Sequence, residues 1–84
     1  MKIGNSVIKN IELDNDEEFV ATYKDHHIEI SSIHDLGDPQ YDHLTRYNIV
    51  VRYKDGSLVV GAYEDFHCIR DAIRYALEGS ELLR

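Results

Sequence analysis

Apolar and polar residues alternate along most of the chain, and short polar clusters interrupt the alternation. The clearest case is "YNIVVRY" followed by "KDGS" (Lys54–Ser57) and "LVVGAY". Asp-Gly between two β-rich runs is a strong hairpin signal. With Asp55-Gly56 as the two turn residues, Tyr53 faces Leu58, Val51 faces Val60 and Ile49 faces Ala62, which gathers apolar residues on one face. Upstream, a turn at Lys24-Asp25 in "KDHH" sets Tyr23 against His26, Ala21 against Ile28 and Phe19 against Ile30. The segment "HDLGDPQYDH" (His34–His43) then joins the two hairpins. The expected register there places His34 opposite His43, Ile30 opposite Tyr47 and Ile28 opposite Ile49. "VIKNIEL" offers a first strand that turns through the acidic "DNDEE".

The period changes in "EDFHCIRDAIRYALEGS", where Phe66, Ile69, Ala72, Ile73, Ala76 and Leu77 recur at helical spacing. Asp65 is the expected N-cap and Gly79 the expected C′ residue. The pattern predicts one α+β domain over residues 1–84: a four- to five-stranded antiparallel meander with one C-terminal amphipathic helix packed on one face. Val20, Ile33, Val50, Val59 and Tyr63 share the other face with Glu29, Asn48 and Arg52. A wet face is ordinary for an antiparallel sheet, and a homodimer or partner surface is the sharper reading.

Length and charge narrow the function. Eighty-four residues form a thin core, because a chain of this size buries only about 60–65% of its unfolded surface. Cys68 is the sole cysteine, so no disulfide staples the chain, and a reducing compartment is expected. "MKIGNSVIKN" has no continuous hydrophobic region and the longest apolar run is "IVV", so neither a leader nor a membrane span is expected. These features point to the cytoplasm. The net charge of −7 disfavours direct binding to nucleic acid. It suits simple solubility, or docking on a basic surface.

The candidate chemistry gathers near the Pro39 loop. In the expected register His34 and His43 stand at its mouth, with the helix start His67-Cys68 beside them and Asp35, Asp38 and Asp42 in reach. Imidazole, thiolate and carboxylate form a zinc set, and the expected structural site draws on His34, His43, His67, Cys68 and Asp38. His67 and Cys68 project from different sides of the helix, so an aspartate replaces one of them. The plainer reading has both loop histidines solvated and Cys68 as a small half-buried hydrophobe. His26 and His27 read as a turn followed by a strand, with their rings on opposite faces. "DNDEEF" fails as a calcium loop because Phe19 stands where glycine is needed. Phosphate-binding, dinucleotide and nucleophile-elbow motifs are absent from the sequence. No enzyme is expected.

The layout resembles the small phage-encoded anti-CRISPR proteins, many of which are acidic single α+β domains without enzymatic motifs. The likeness rests on "DNDEE", on the carboxylates of "HDLGDPQYDH" and on the sheet-then-helix order. It implies a stoichiometric inhibitor of a CRISPR effector nuclease that blocks guide or target DNA loading, acting in the cytoplasm of a host bacterium. Such effectors hold nucleic acid in positively charged channels. Asp14, Asp16, Glu17, Glu18, Asp35 and Asp42 would mimic phosphates there, with Tyr41 and Tyr63 as aromatic anchors. The alternative is a homodimeric accessory or regulatory domain that uses the exposed sheet face.

Overall fold

A computed structural model describes residues 1–33 and 44–83. Strands β1 (Lys2–Ile3) and β2 (Ser6–Val7) form a small antiparallel hairpin. Strands β3 (Asn10–Asp14), β4 (Glu18–Tyr23), β5 (His26–Ile33), β6 (Thr45–Tyr53) and β7 (Leu58–Phe66) follow as an antiparallel sheet in sequential order, and helix α1 spans Ile69–Gly79. This is the α+β meander with a C-terminal helix that the alternation predicts. The opening hairpin is an addition: "VIKNIEL" is not one strand, because Val7 ends β2 and β3 begins only at Asn10.

The β4–β5 hairpin follows its expected register, with Tyr23 opposite His26, Ala21 opposite Ile28 and Phe19 opposite Ile30. Lys24 and Asp25 both take left-handed backbone angles, φ 49 and 64, as a two-residue hairpin turn of the primed type requires. The β6–β7 hairpin departs from expectation at its tip. Gly56 N–H donates to the Tyr53 carbonyl at 2.8 Å and Tyr53 N–H to the Ser57 carbonyl at 2.9 Å. The turn residues are therefore Lys54 and Asp55, and Gly56, at φ 89, is a left-handed bulge after them. Asp55 secures this geometry, since its carboxylate accepts from the Ser57 hydroxyl at 2.6 Å and from Ser57 N–H at 2.9 Å. Those bonds hold its pKa below the ordinary aspartate value. Val51 still faces Val60 and Ile49 faces Ala62, but the ladder shifts beyond Val51 and Leu58 lies opposite Arg52 instead of Tyr53.

The β5–β6 ladder is also displaced. Ile30 faces Ile49, Ile28 faces Val51 and Ser32 faces Tyr47, two residues from the expected Ile30–Tyr47 and Ile28–Ile49. A shift of two keeps every side chain on its own face, so alternation alone does not discriminate between the registers. The adopted one runs from His26–Tyr53 to Ile33–Arg46 and sets the His26 ring edge-on to Tyr53, centroids 5.2 Å apart. The alignment that would set His34 opposite His43 is thus not the one the described ladder follows. Both histidines lie outside the described residues.

One sheet face and the helix enclose the core. Phe19, Ala21, Ile28, Ile30, Tyr47, Ile49 and Val51 meet Ala72, Ile73, Ala76 and Leu77. The β1–β2 hairpin closes the same core through Ile3 and Ile8, both fully buried. Its attachment is specific: the buried Ser6 hydroxyl donates to the Leu82 carbonyl at 3.1 Å, and Arg70 donates to the Lys2 carbonyl at 2.6 Å.

Both helix ends differ from the sequence expectation. Asp65 stays in β7, where its carboxylate takes two bonds from Arg46, at 2.8 and 3.1 Å, and Cys68 is the N-cap without a side-chain capping bond. Gly79 is the last helical residue, and the left-handed position belongs to Glu81 at φ 60. Glu81 N–H bonds to the Glu78 carbonyl at 3.1 Å and Leu82 N–H to the Leu77 carbonyl at 2.8 Å, a Schellman closure. Gly79 serves packing instead: a Cβ there would meet a Val60 methyl at 3.2 Å, so its absence lets the helix approach β7. Left-handed backbone costs a residue with a Cβ about 1 kcal/mol. Glu81→Gly is therefore expected to raise the melting temperature by roughly 4–8 °C, and a scan showing no rise would contradict the assigned closure.

Candidate interaction surface

The acidic turn between β3 and β4 is held by its own asparagine. Asn15 Oδ1 accepts the N–H groups of Glu17 and Glu18, each at 2.8 Å, while Asn15 N–H donates to the Glu18 carbonyl at 3.0 Å. Ser32 N–H donates to the Glu17 carbonyl at 2.7 Å, which ties the turn to β5. Asp14, Asp16, Glu17 and Glu18 are all exposed on this frame. An asparagine that bonds main-chain groups two and three residues on is a recognised turn device, and the "DNDEE" string carries that signal. The string alone does not show that the asparagine braces the carboxylates beside it.

Register places the turn within the sheet. Glu18 pairs with Ser31 and Thr45 pairs with Phe66, so the acidic turn, the end of β5, the start of β6 and the start of α1 share one end. Asp71, in the first helical turn, is exposed there too. Arg46, also at this end, is engaged by Asp65, which raises the guanidinium pKa through hydrogen bonding and charge. In return, the Arg46 bond holds the Asp65 carboxyl below its ordinary range. Lys24 and Lys54 occupy the two hairpin tips at the opposite end, lying 5.3 and 5.6 Å from the ring centroids of Tyr23 and Tyr53. Each of these tips also carries an aspartate, Asp25 or Asp55, so neither is a basic end, while the acidic end carries an ordered main-chain frame.

The outer sheet face is mixed, as the alternation predicts. Leu13, Val20, Glu29, Val50 and Gly61 form one row across the five strands. His27 lies 3.7 Å from Glu29 on this face, while His26 is on the core side and its Nδ1 sits 2.7 Å from the Lys24 carbonyl. The two rings therefore diverge as expected. Tyr63 is 44% exposed on the outer face, and the Arg46 guanidinium lies 5.2 Å from its ring centroid. The expected anchor thus has a cation beside its ring. Tyr47, by contrast, is buried beneath the helix side of the sheet, and burial pushes its phenol pKa up.

The expected zinc set is only partly within view. His67 and Cys68 are both exposed at the helix start, so Cys68 is not the half-buried hydrophobe of the plainer reading. The Thr45–Phe66 pair does bring the start of β6 beside that helix end. His34, Asp38 and His43 of the same set lie outside the described residues, as do Asp35, Tyr41 and Asp42 of the expected partner surface. Among the described residues, no three His, Cys, Asp or Glu side chains converge as a metal site.

No family model, curated protein or solved structure matches the chain. Among the described residues, no helix is long and apolar enough to cross a membrane.

Proposed function

We propose that this protein is a non-enzymatic inhibitor that binds a nuclease stoichiometrically and lays the acidic end of its sheet on the partner's nucleic-acid channel. A CRISPR effector is the partner class, and loading of guide or target DNA is the step blocked. The cytoplasm of a host bacterium is the setting this activity requires.

The observation that carries the reading is the Asn15-braced turn with Asp14, Asp16, Glu17 and Glu18 exposed on it. Carboxylates on an ordered frame lose less conformational freedom on docking than those on a slack loop. A channel built to hold phosphates offers the cations that such a frame complements. Charge of this kind acts at long range, so it speeds encounter and makes association sensitive to salt. Tyr63 supplies an aromatic contact on the outer face near the same end.

The test is association with a basic effector nuclease across a salt series. Replacing the four carboxylates with Asn or Gln (D14N/D16N/E17Q/E18Q) is expected to slow association about tenfold or more at low salt and to flatten its salt dependence. The melting temperature should stay level, since all four side chains are exposed. An association rate that does not respond would reject phosphate mimicry. A structural zinc at the loop mouth is part of the same proposal. Elemental analysis should then find the metal in the purified protein, and chelation and Cys68→Ser should each lower the melting temperature. Metal-free protein that melts identically with and without chelator removes the zinc and leaves the acidic reading standing.

A further inference from the structure

The tip of the β6–β7 hairpin contains the chain's only Asp-Gly sequence, Asp55–Gly56. Among aspartyl bonds this one rearranges most readily, because glycine has no side chain to hinder attack by its own nitrogen. The Gly56 nitrogen would bond to Asp55 Cγ, and the carboxyl hydroxyl would leave with the amide proton as water. The product is a cyclic succinimide. Water then adds to one ring carbonyl, and opening at the former main-chain carbonyl leaves isoaspartate, in which the main chain runs through Cβ and Cγ. No oxidant or reductant enters.

In the folded tip both reacting groups are engaged elsewhere. The Gly56 N–H donates to the Tyr53 carbonyl at 2.8 Å, so the attacking nitrogen's proton is held on the far side of the turn. The Gly56 carbonyl accepts from the Arg52 guanidinium at 3.0 Å. Asp55 Oδ1 accepts from the Ser57 hydroxyl at 2.6 Å and from Ser57 N–H at 2.9 Å. These last two bonds favour the ionised carboxylate, which is a poor electrophile and has no hydroxyl to lose. Ring closure therefore requires the tip's bonds to open together, although Asp55, Gly56 and Ser57 are all exposed to the water that the reaction uses.

We infer that Asp55–Gly56 is a latent isoaspartate site, closed while the β6–β7 tip is formed and open once its hydrogen bonds are lost. The same bonds that move the turn by one position thus shield its most reactive peptide. The product would carry an additional main-chain carbon between Asp55 and Gly56. The bonded turn that sets Gly56 at φ 89 could not be remade around it.

Incubation of the full chain in mildly acidic buffer, with and without urea, tests this. Isoaspartate is counted by enzymatic methyl transfer to its free α-carboxylate and located by peptide mapping. Folded wild type should accumulate it at Asp55 at least about tenfold more slowly than the chain in urea, given the bonds to a charged group that must open. Ser57→Ala removes the hydroxyl's bond and should speed the folded reaction about tenfold, with an unchanged far-ultraviolet spectrum. Ser57→Thr keeps a hydroxyl at that position and should react at the wild-type rate. In urea all three chains should react alike. Equal rates for folded and unfolded wild type overturn the proposal, and this comparison decides even where Ser57→Ala does not fold. A folded Ser57→Ala no faster than wild type overturns it too. So does a Ser57→Ala excess that persists in urea, because the chain's local chemistry and not the folded tip would then set the rate.

Discussion

Ile8→Ala is expected to lower the unfolding free energy by about 2–5 kcal/mol. The residue sits outside both sheets, in the link from β2 to β3, and a reading by element alone would treat it as peripheral. It is fully buried, with Ile3, in the same core as Phe19 and Leu77. The chain terminus is fastened around it: the amino group donates to the Ile8 carbonyl at 2.9 Å, and Ile8 N–H donates to the Met1 carbonyl at 2.7 Å. Truncation would therefore leave a cavity that a hydrogen-bonded hairpin cannot easily collapse to fill. Small domains are stable by only about 0.05–0.15 kcal/mol per residue, so the loss would be a large share of the total. Val7→Ala is the control, because Val7 is 46% exposed, and it should cost well under 1 kcal/mol. Urea melts of the two variants decide the matter: equal midpoints would mean that the opening hairpin is not part of the core.

Phe19→Ala should be the costliest single truncation in the sheet, about 3–5 kcal/mol. Its ring has no solvent exposure, and it faces Ile30 across the β4–β5 ladder. Val20, the next residue, points to the outer face opposite Glu29 and is only half-buried. Val20→Ala is expected to cost less than about 1.5 kcal/mol. The contrast reads the pleat of β4, since a slip of one residue exchanges the two faces. A melt in which Val20→Ala is the more damaging would place β4 one residue out of register.

The histidine-flanked loop shows where local reading stops. Outside the shifted β6–β7 tip the faces follow from period two, so Val20, Val50 and Tyr63 lie outside and Ile28, Ile30 and Ile49 inside, as the alternation predicts. Pairing across the His34–His43 connection is a different question. Registers two apart satisfy the same alternation, and the adopted one sets His26 against Tyr53 and Ile28 against Val51. The expected zinc corner requires the other register, and three of its five residues, His34, Asp38 and His43, lie outside the described set. The acidic surface fares differently. Its carboxylates and the asparagine that braces them are contiguous in sequence, and a local turn needs no distant partner to form.

The glycines tell a similar story. Gly56 reads from sequence as the second turn residue but is the left-handed bulge after the turn, because Asp55's bonds to Ser57 move the turn by one position and send Leu58 to the outer face. Gly79 reads as a chain reversal and is instead a contact with Val60. The stretch "LEGSEL" (Leu77–Leu82) names every residue of the closure without showing that Glu81 takes the left-handed turn. Arg46 and Asp65 are nineteen positions apart, and only the β6–β7 register makes them partners and removes Asp65 from the helix cap.

Taken alone, the order of residues determined the fold class, the strand and helix faces, the tight β4–β5 turn and the acidic end of the molecule, because each depends on periodicity or on neighbours a few positions away. Tertiary structure decided the inter-hairpin register, the burial of the opening hairpin and the Arg46–Asp65 pair. Those outcomes depend on which of several locally equivalent alignments packs the one shared core, and that choice is made by contacts between residues far apart in the chain.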